Sequence, residues 1–287
     1  MKSLFRRSPP SHQVGLLLAS DRILLACVEP VPIFTSRAIN GPHDWPKAMG
    51  ELFAQHGLAK SKVRVALAAS LYQQIQIDKP AVPDAEMAGA LPWAIKDFVN
   101  EPVLQLAMDY VDLPTPPAGR PRINVICVPK SRVQQLADAV NGVATLEAIV
   151  SDELAMTALY EADQTVRMLL WQPRGQELQL LVFYRGGLCF SRPLRGFVGL
   201  TGAHEPDQGM LDGLTLEIQR SLDYLAGQLK LPEPGQMQLA IGSPFIGTLV
   251  RHLEQAFGFP VSAMANKAVL AGVEYLCAYG AALGGER

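Results

Sequence analysis

The chain has 287 residues, which is enough for one large domain or two of ordinary size with a substantial apolar core. Its 25 basic and 27 acidic residues give a formal net charge of −2. This balance excludes a nucleic-acid partner, because phosphate binding needs clustered Lys and Arg side chains. No window of the sequence reaches the roughly 20 apolar residues that a transmembrane helix requires. The composition therefore predicts a globular protein that binds no nucleic acid.

The cysteines and histidines predict no metal or redox site. Cys27, Cys127, Cys189 and Cys277 are far apart, and each lies in an apolar segment. No pair has C-x-x-C spacing, so we expect buried free thiols, in keeping with a reducing cytoplasm. The five histidines lie in five different segments without the spacing of metal ligands.

The first half opens with an apolar hairpin, VGLLLASDRILLACVE, whose turn is at Ser20-Asp21. An edge strand follows at 32–38, and then a helix from Trp45 to His56 that Asp44 caps and Gly57 ends. The next segment, KVRVALA at 62–68, is typical of a buried strand. These elements predict one half of an α/β layer fold.

A segment of different character follows, from about residue 71 to 128. It contains a strand (YQQIQID), a helix that begins at Pro83-Asp84, and two strands separated by PTPPAGRPR. Pro92 within the helix predicts either a kink or a new first turn. Trp93 packs this helix on its sheet or contacts a partner. The pattern predicts a small β-α-β-β subdomain inserted into the first half.

After the insert we expect a helix from Lys130 to Val140 and a strand from Thr145 to Val150. Asp152 precedes a second apolar helix, Glu153 to Glu161, in the position of an N-cap. The opening pattern then returns near Gln164.

The second half begins with another apolar hairpin, VRMLLWQPRGQELQLLVFY, which turns at 172–175. A strand, GGLCFSRPL, leads to a long helix predicted from Asp207 to Leu229. Its apolar residues recur at spacings of three and four, as in a helix with one buried face: Leu211, Leu214, Ile218, Leu222, Leu225 and Leu229. A strand, a helix at 245–257, a short strand and a closing helix at 267–283 complete the chain.

This repetition predicts two similar lobes around a cleft. The expected organisation is a flexible tail at 1–11 and a first lobe at 12–163 that contains the insert at about 71–128. A second lobe at 164–264 and a closing segment at 265–287, which returns to the first lobe, follow.

The order of elements resembles the actin-like ATPase superfamily, in the branch that includes FtsA and the pilus-assembly protein PilM. Local stretches carry the same likeness: LPWAIKDFV, AMDYVDL, FSRPLRG, LEIQRSLDYLAGQL and AYGAAL. Within that branch the chain resembles the MshI-type biogenesis proteins of MSHA-class type IV pili. The resemblance implies an α/β, ribonuclease H-like fold of two lobes with a β-α-β-β insert in the first.

Actin-like ATPases hold ATP between the lobes with two phosphate hairpins and a Gly-Gly adenosine motif, and this chain departs from all three. The first hairpin turn retains only Ser20 and Asp21 as polar candidates, and the second has Arg174 beside a proline and no carboxylate. The adenosine motif reads Ile-Gly-Ser-Pro, with Gly242 and Ser243. We therefore expect a closed interface without catalytic residues, metal or cofactor.

Two alternatives from the same fold stay open. One is nucleotide binding without turnover, through the five residues just named. The other is an active ATPase, for which Mg²⁺ would need carboxylates such as Asp21 and Asp152 to converge on the cleft.

For PilM-like proteins the resemblance implies a partner, the short cytoplasmic tail of a bitopic inner-membrane pilus protein, bound between the first lobe and the insert. The corresponding surface here is expected to include the insert's strands and residues 62–76, with Arg64, Gln74 and Trp93 as candidate contacts. The protein would then be cytoplasmic and peripheral to the inner membrane. An alternative is a type II secretion component related to GspL, although that family continues into a membrane span that this chain lacks.

Overall fold

The computed structural model describes residues 12–172, 176–202 and 204–284. The strands are β1 (Gln13–Leu18), β2 (Arg22–Cys27), β3 (Ile33–Ala38), β4 (Lys62–Leu67), β5 (Gln73–Asp78), β6 (Leu106–Asp112), β7 (Arg122–Pro129), β8 (Thr145–Ser151), β9 (Val166–Trp171), β10 (Leu178–Tyr184), β11 (Gly187–Leu194), β12 (Pro234–Ala240) and β13 (Val261–Ala263). The α-helices are α1 (Trp45–His56), α2 (Asp84–Ile95), α3 (Lys130–Asn141), α4 (Asp152–Ala155), α5 (Gln208–Gly227), α6 (Ile246–Phe257), α7 (Lys267–Ala271) and α8 (Leu276–Leu283). The expected tail at 1–11 lies outside the described residues.

Two five-stranded sheets share one topology. Their strand orders are β3-β2-β1-β4-β8 and β11-β10-β9-β12-β13. In each sheet the three hairpin strands pair antiparallel, and the two strands after them are added in parallel. The repetition read in the sequence is therefore a repetition of structure, and the α/β fold of two lobes is confirmed.

Both faces of the first sheet are covered, which explains why β1 and β2 are almost wholly apolar. Alternate side chains of a strand point to opposite faces. Leu16 and Leu18 pack with α1 and α3, whereas Leu17 belongs to a core shared between the lobes. That shared core also contains Leu169 of the second sheet and Leu276 of α8. The lobes are thus joined by buried apolar contacts below the cleft.

The longest helix, α5, has the buried apolar stripe that its sequence predicts. Leu211, Leu214, Ile218 and Leu225 are buried on its inner face. The carboxylate of Asp207 accepts a hydrogen bond from the backbone N–H of Met210 at 2.8 Å, so it caps the helix.

The insert has its own sheet, in the order β5-β7-β6, with α2 on one face. Met87, Leu91 and Ile95 of α2 pack on Ile75 and its neighbours. Pro92 lies inside α2, and the helix continues through it to Ile95. Every helix of the described residues is too short or too polar to cross a membrane.

Three local sequence predictions are wrong. Ser151, not Asp152, caps α4, and this helix passes after Ala155 into a 3-10 turn. The closing helix is broken at Gly272, whose φ of 151° lies outside the helical region, so α7 and α8 are separate. The Asp44 side chain accepts from the N–H of Asn40 before α1 instead of capping that helix.

Helix α8 lies unusually close to β1. A Cβ atom on Gly15 would lie 1.8 Å from the carbonyl oxygen of Ala278. On the opposite side of α8, a Cβ on Gly280 would lie 2.4 Å from the carbonyl oxygen of Ala155 in α4. The helix is therefore held between β1 and α4 at distances that only glycine permits.

Replacing Gly15 with Ala should destabilise the fold by about 3 kcal/mol, because the added methyl group must push two backbone segments apart. Urea denaturation followed by circular dichroism measures the change in the free energy of unfolding. The matched control is Gly50→Ala in α1, where the added Cβ has no neighbour within 4 Å and should stabilise by about 0.5–1 kcal/mol. Equal stability of Gly15→Ala and the wild type would show that the two segments are not in tight contact.

Candidate functional site

The cleft between the lobes contains a cavity of about 400 Å³. Ser20 and Asp21, at the turn between β1 and β2, line it from the first lobe, and Trp171 lines it from the second. Asp152 at the start of α4 and Glu274 before α8 complete its polar wall. The carboxylates of Asp21 and Asp152, far apart in sequence, therefore face one cavity.

The charges of this cavity are mostly negative. Three carboxylates face one guanidinium, that of Arg22, which is paired with Asp21 at 2.9 Å. The Asp152 carboxylate accepts hydrogen bonds from the hydroxyl of Tyr72 at 2.8 Å and from the N–H of Ala69 at 3.1 Å. Burial raises the pKa of Asp152 to about 6, and these hydrogen bonds oppose the shift. The carboxylates of Asp21 and Asp152 are thus already engaged by groups of the protein itself.

The other residues predicted for a nucleotide are placed elsewhere. Gly242 and Ser243 follow the end of β12, and neither is among the described residues that line the cavity. Ser243 is buried, and its Oγ accepts a hydrogen bond from the N–H of Phe245 at 3.2 Å. Arg174 lies outside the described residues. Within the described ranges, no three His, Cys, Asp or Glu side chains are grouped as a metal ion would require.

A partly buried carboxylate also joins the lobes directly. Glu153 of α4 accepts a hydrogen bond from the hydroxyl of Ser191 in β11 at 2.5 Å. Burial raises the pKa of Glu153 to about 7; the bond from Ser191 opposes this shift, and the charge of Asp152 adds to it. Two adjacent acidic residues with raised pKa values therefore lie at the junction of the lobes.

A second cavity, of about 250 Å³, lies between the insert and the first lobe. We call it the edge groove, because β6 and β8 each form an edge of their sheets and both border it. Its lining is largely apolar and includes Ala107, Val111, Ile126, Val133, Ile149 and Leu154. Ser151 and Leu154, on either side of the acidic pair, belong to this lining, so α4 contacts both the groove and the cleft.

The three predicted partner contacts lie on three different surfaces, and none is among the described residues that line the edge groove. Trp93 is 76% exposed on α2. Gln74 is on the face of the insert's sheet that points away from α2, and it lines a separate cavity together with Ser191. Arg64 is on β4, with its guanidinium beside Gly284. The surface expected from the sequence includes the insert's strands but not β8, the other border of the edge groove, which no local pattern marks.

The fold and the cleft define a protein with the two-lobed actin-like ATPase fold. The structure is similar to that of the "PilM-PilN type IV pilus biogenesis complex", with a TM-score of 0.68, 17% identity, and coverage of 97% of this chain and 100% of that chain. A Bacteroides thetaiotaomicron protein of actin-like ATPase fold and unknown function matches with a TM-score of 0.52, 12% identity, and coverage of 92% and 95%.

The cytoplasmic domain of EpsL, an inner-membrane component of the Vibrio cholerae type II secretion system, has a TM-score of 0.49 at 14% identity, with coverage of 93% of this chain and 94% of that one. No protein-family model matches the sequence, and no curated protein matches it. At such identities the likeness to solved structures establishes the fold.

The raised pKa values of Asp152 and Glu153 predict that stability falls as the pH rises from about 4 to 7. The folded state holds these protons more tightly than the unfolded chain does, so each deprotonation costs folding free energy. Glu153→Gln removes one charge and keeps an oxygen that can accept from Ser191. It should stabilise the protein by about 2 kcal/mol at pH 8 and have little effect at pH 4.

Thermal or urea unfolding across this pH range measures the effect. The control is Glu233→Gln, which neutralises an exposed residue and should change the pH profile little. A Glu153→Gln profile parallel to that of the wild type would show that Glu153 ionises normally in the folded protein.

Proposed function

We propose that this protein is a non-catalytic, actin-like scaffold of a type IV pilus assembly platform, of the MshI type. It docks the cytoplasmic tail of a bitopic inner-membrane partner in the edge groove, and this contact holds it at the cytoplasmic face of the inner membrane. The observation that carries the proposal is an apolar groove bordered by two open sheet edges.

The groove suits a short extended segment. Among the strands that the structure describes, β6 and β8 are each paired on one side only, with β7 and β4 respectively. An unpaired strand edge presents backbone donors and acceptors that a peptide can use, while pockets beside the edge accept alternate side chains. The cavity of about 250 Å³ has room for a few aliphatic side chains, each of which contributes about 1.5–3 kcal/mol when fully buried.

Similarity of fold supports the same function. The PilM-PilN complex of type IV pilus biogenesis matches nearly the whole chain, including the insert that forms one wall of the groove. The sequence stretches LPWAIKDFV and AMDYVDL, which carry the family resemblance, belong to that same insert.

The charges in the cleft support a scaffold that does not hydrolyse ATP. Polyphosphate would meet three carboxylates and a single guanidinium that is already paired with Asp21. Hard cations such as Mg²⁺ need accessible oxygen ligands, but Asp152 is buried and hydrogen-bonded to Tyr72 and Ala69. Groups of the protein itself, on Arg22, Tyr72 and Ala69, thus already bind carboxylates that the Mg²⁺ of a nucleotide would need.

Nucleotide binding is the second candidate function, and one observation favours it. Ser20, Asp21 and Asp152 line the same cavity of about 400 Å³, the convergence that an active cleft would require. In this alternative, Asp21 and Asp152 would hold the water shell of Mg²⁺, and Ser20 would contact a phosphate.

Truncation of the groove should weaken tail binding. Ile126→Ala and Ile149→Ala each remove apolar surface from the groove wall, so we expect each to raise the dissociation constant of the tail peptide about tenfold. Calorimetry with synthetic peptides that copy the tails of the inner-membrane proteins encoded beside this chain measures this.

Leu104→Ala is the control, because Leu104 is 80% exposed on the insert and is not among the residues that line the groove. The docking proposal fails if no tail peptide binds the wild type. It also fails if the Leu104 variant loses as much affinity as the two groove variants.

Titration with ATP and ADP in the presence of Mg²⁺ should show neither tight binding nor release of phosphate, because the cleft repels polyphosphate. Asp21→Asn leaves Ser20 in place and removes one negative charge, so any weak binding should strengthen in this variant. Tight wild-type binding with turnover, abolished by Asp21→Asn, would establish the ATPase alternative.

A further inference from the structure

Asp109 is the only charged residue among the described residues that line the edge groove. Building on the proposed function, we propose that the partner's tail binds as an added strand on the β6 edge, and that Asp109 selects tails that carry a Lys or Arg at the facing position.

The position of Asp109 follows from the register of the insert's sheet. Asp109 is opposite Ile126 of β7, and Ala107 and Val111 share its face. All four residues line the groove. An exposed carboxylate thus stands in the middle of an otherwise apolar row.

The carboxylate of Asp109 is tied to the backbone of its own strand. Its Oδ1 accepts a hydrogen bond from the N–H of Tyr110 at 2.8 Å. Within the described part of the chain, β6 pairs only with β7. An acidic side chain that engages a backbone donor here therefore also disfavours indiscriminate pairing at this edge. A partner strand must therefore replace the hydrogen bond between Asp109 and the N–H of Tyr110.

An added strand with a basic residue supplies new partners for both Tyr110 and Asp109. A carbonyl oxygen of the strand accepts from the N–H of Tyr110, and the released carboxylate of Asp109 accepts from the ammonium or guanidinium group of the tail. Such charge-assisted hydrogen bonds are stronger than neutral ones. Cytoplasmic segments that flank membrane spans are rich in Lys and Arg, so the chemistry of Asp109 matches that of a membrane protein's tail.

The same carboxylate disfavours a second copy of this chain. If two β6 edges paired antiparallel about Asp109, two carboxylates would lie on facing strands, and like charges in that position destabilise a sheet. A helix in the groove would leave the backbone groups of β6 without strand partners. The strand-like basic tail is therefore the occupant that fits both the edge and the charge.

The first test compares Asp109→Asn with Asp97→Asn, which removes a carboxylate from the insert outside the groove. The amide oxygen that Asp109→Asn introduces can still accept from the N–H of Tyr110, so the fold should be retained. Affinity for the basic tail peptide should fall about fivefold in Asp109→Asn at low salt and change little in Asp97→Asn. A peptide with its Lys and Arg replaced by Gln should bind the wild type and Asp109→Asn equally.

Charge reversal sharpens the test. Asp109→Lys should bind a peptide with Glu at the facing position better than it binds the basic peptide. Unchanged affinity of the basic tail in both Asp109 variants would overturn the selection by Asp109 while leaving docking intact. Failure of every tail to bind the wild type would overturn the proposed function as well.

The second test addresses the strand. In the full chain, amide hydrogen exchange followed by NMR should show slower exchange at Tyr110 and along β6 when the tail peptide is bound. Peptide binding with unchanged exchange in β6, or with dimerisation of the chain, would overturn strand addition at this edge.

Discussion

The packing of α8 between β1 and α4 is the constraint on which the rest of the molecule depends. Gly15 and Gly280 allow backbone to approach backbone on both sides of this helix. Small residues such as Ala278 and Ala281 then bring the shared core of the lobes together beneath the cleft. Because α8 packs so closely against α4, it fixes the position of this single helical turn. The positions of the side chains on the turn are fixed with it.

Helix α4 connects sites that would otherwise be separate. Ser151 and Leu154 line the edge groove, Asp152 faces the cleft, and Glu153 bonds to Ser191 of the other lobe. Burial keeps the pKa values of both acidic residues above their usual range. At this junction Asp152 and Glu153 bind the protein's own groups, whereas an apolar lining lies between the two sheet edges.

Much of the fold could be predicted because its signals are local. The two hairpins and the stripe of α5 follow from alternation and helical periodicity, and all four cysteines are buried and free, as expected. The failures also have local causes. Ser151 competes with Asp152 as a cap, and the positive φ of Gly272 divides an apolar segment that reads as continuous. In the candidate site, Ser20 and Asp21 could be found because both lie at a recognisable turn.

The sequence alone determined that the architecture is duplicated and that the second hairpin turn carries no carboxylate, since both are visible in short runs of residues. Tertiary structure decided where surfaces meet. Strands β6 and β8 are well separated in the chain, and their edges form one groove only because β7 and β4 hold them in different sheets. The separation of Arg64, Gln74 and Trp93 was also decided by tertiary structure. Strand alternation and helix packing point side chains toward different faces of the molecule. Only long-range contacts determine which other residues each of these faces contacts.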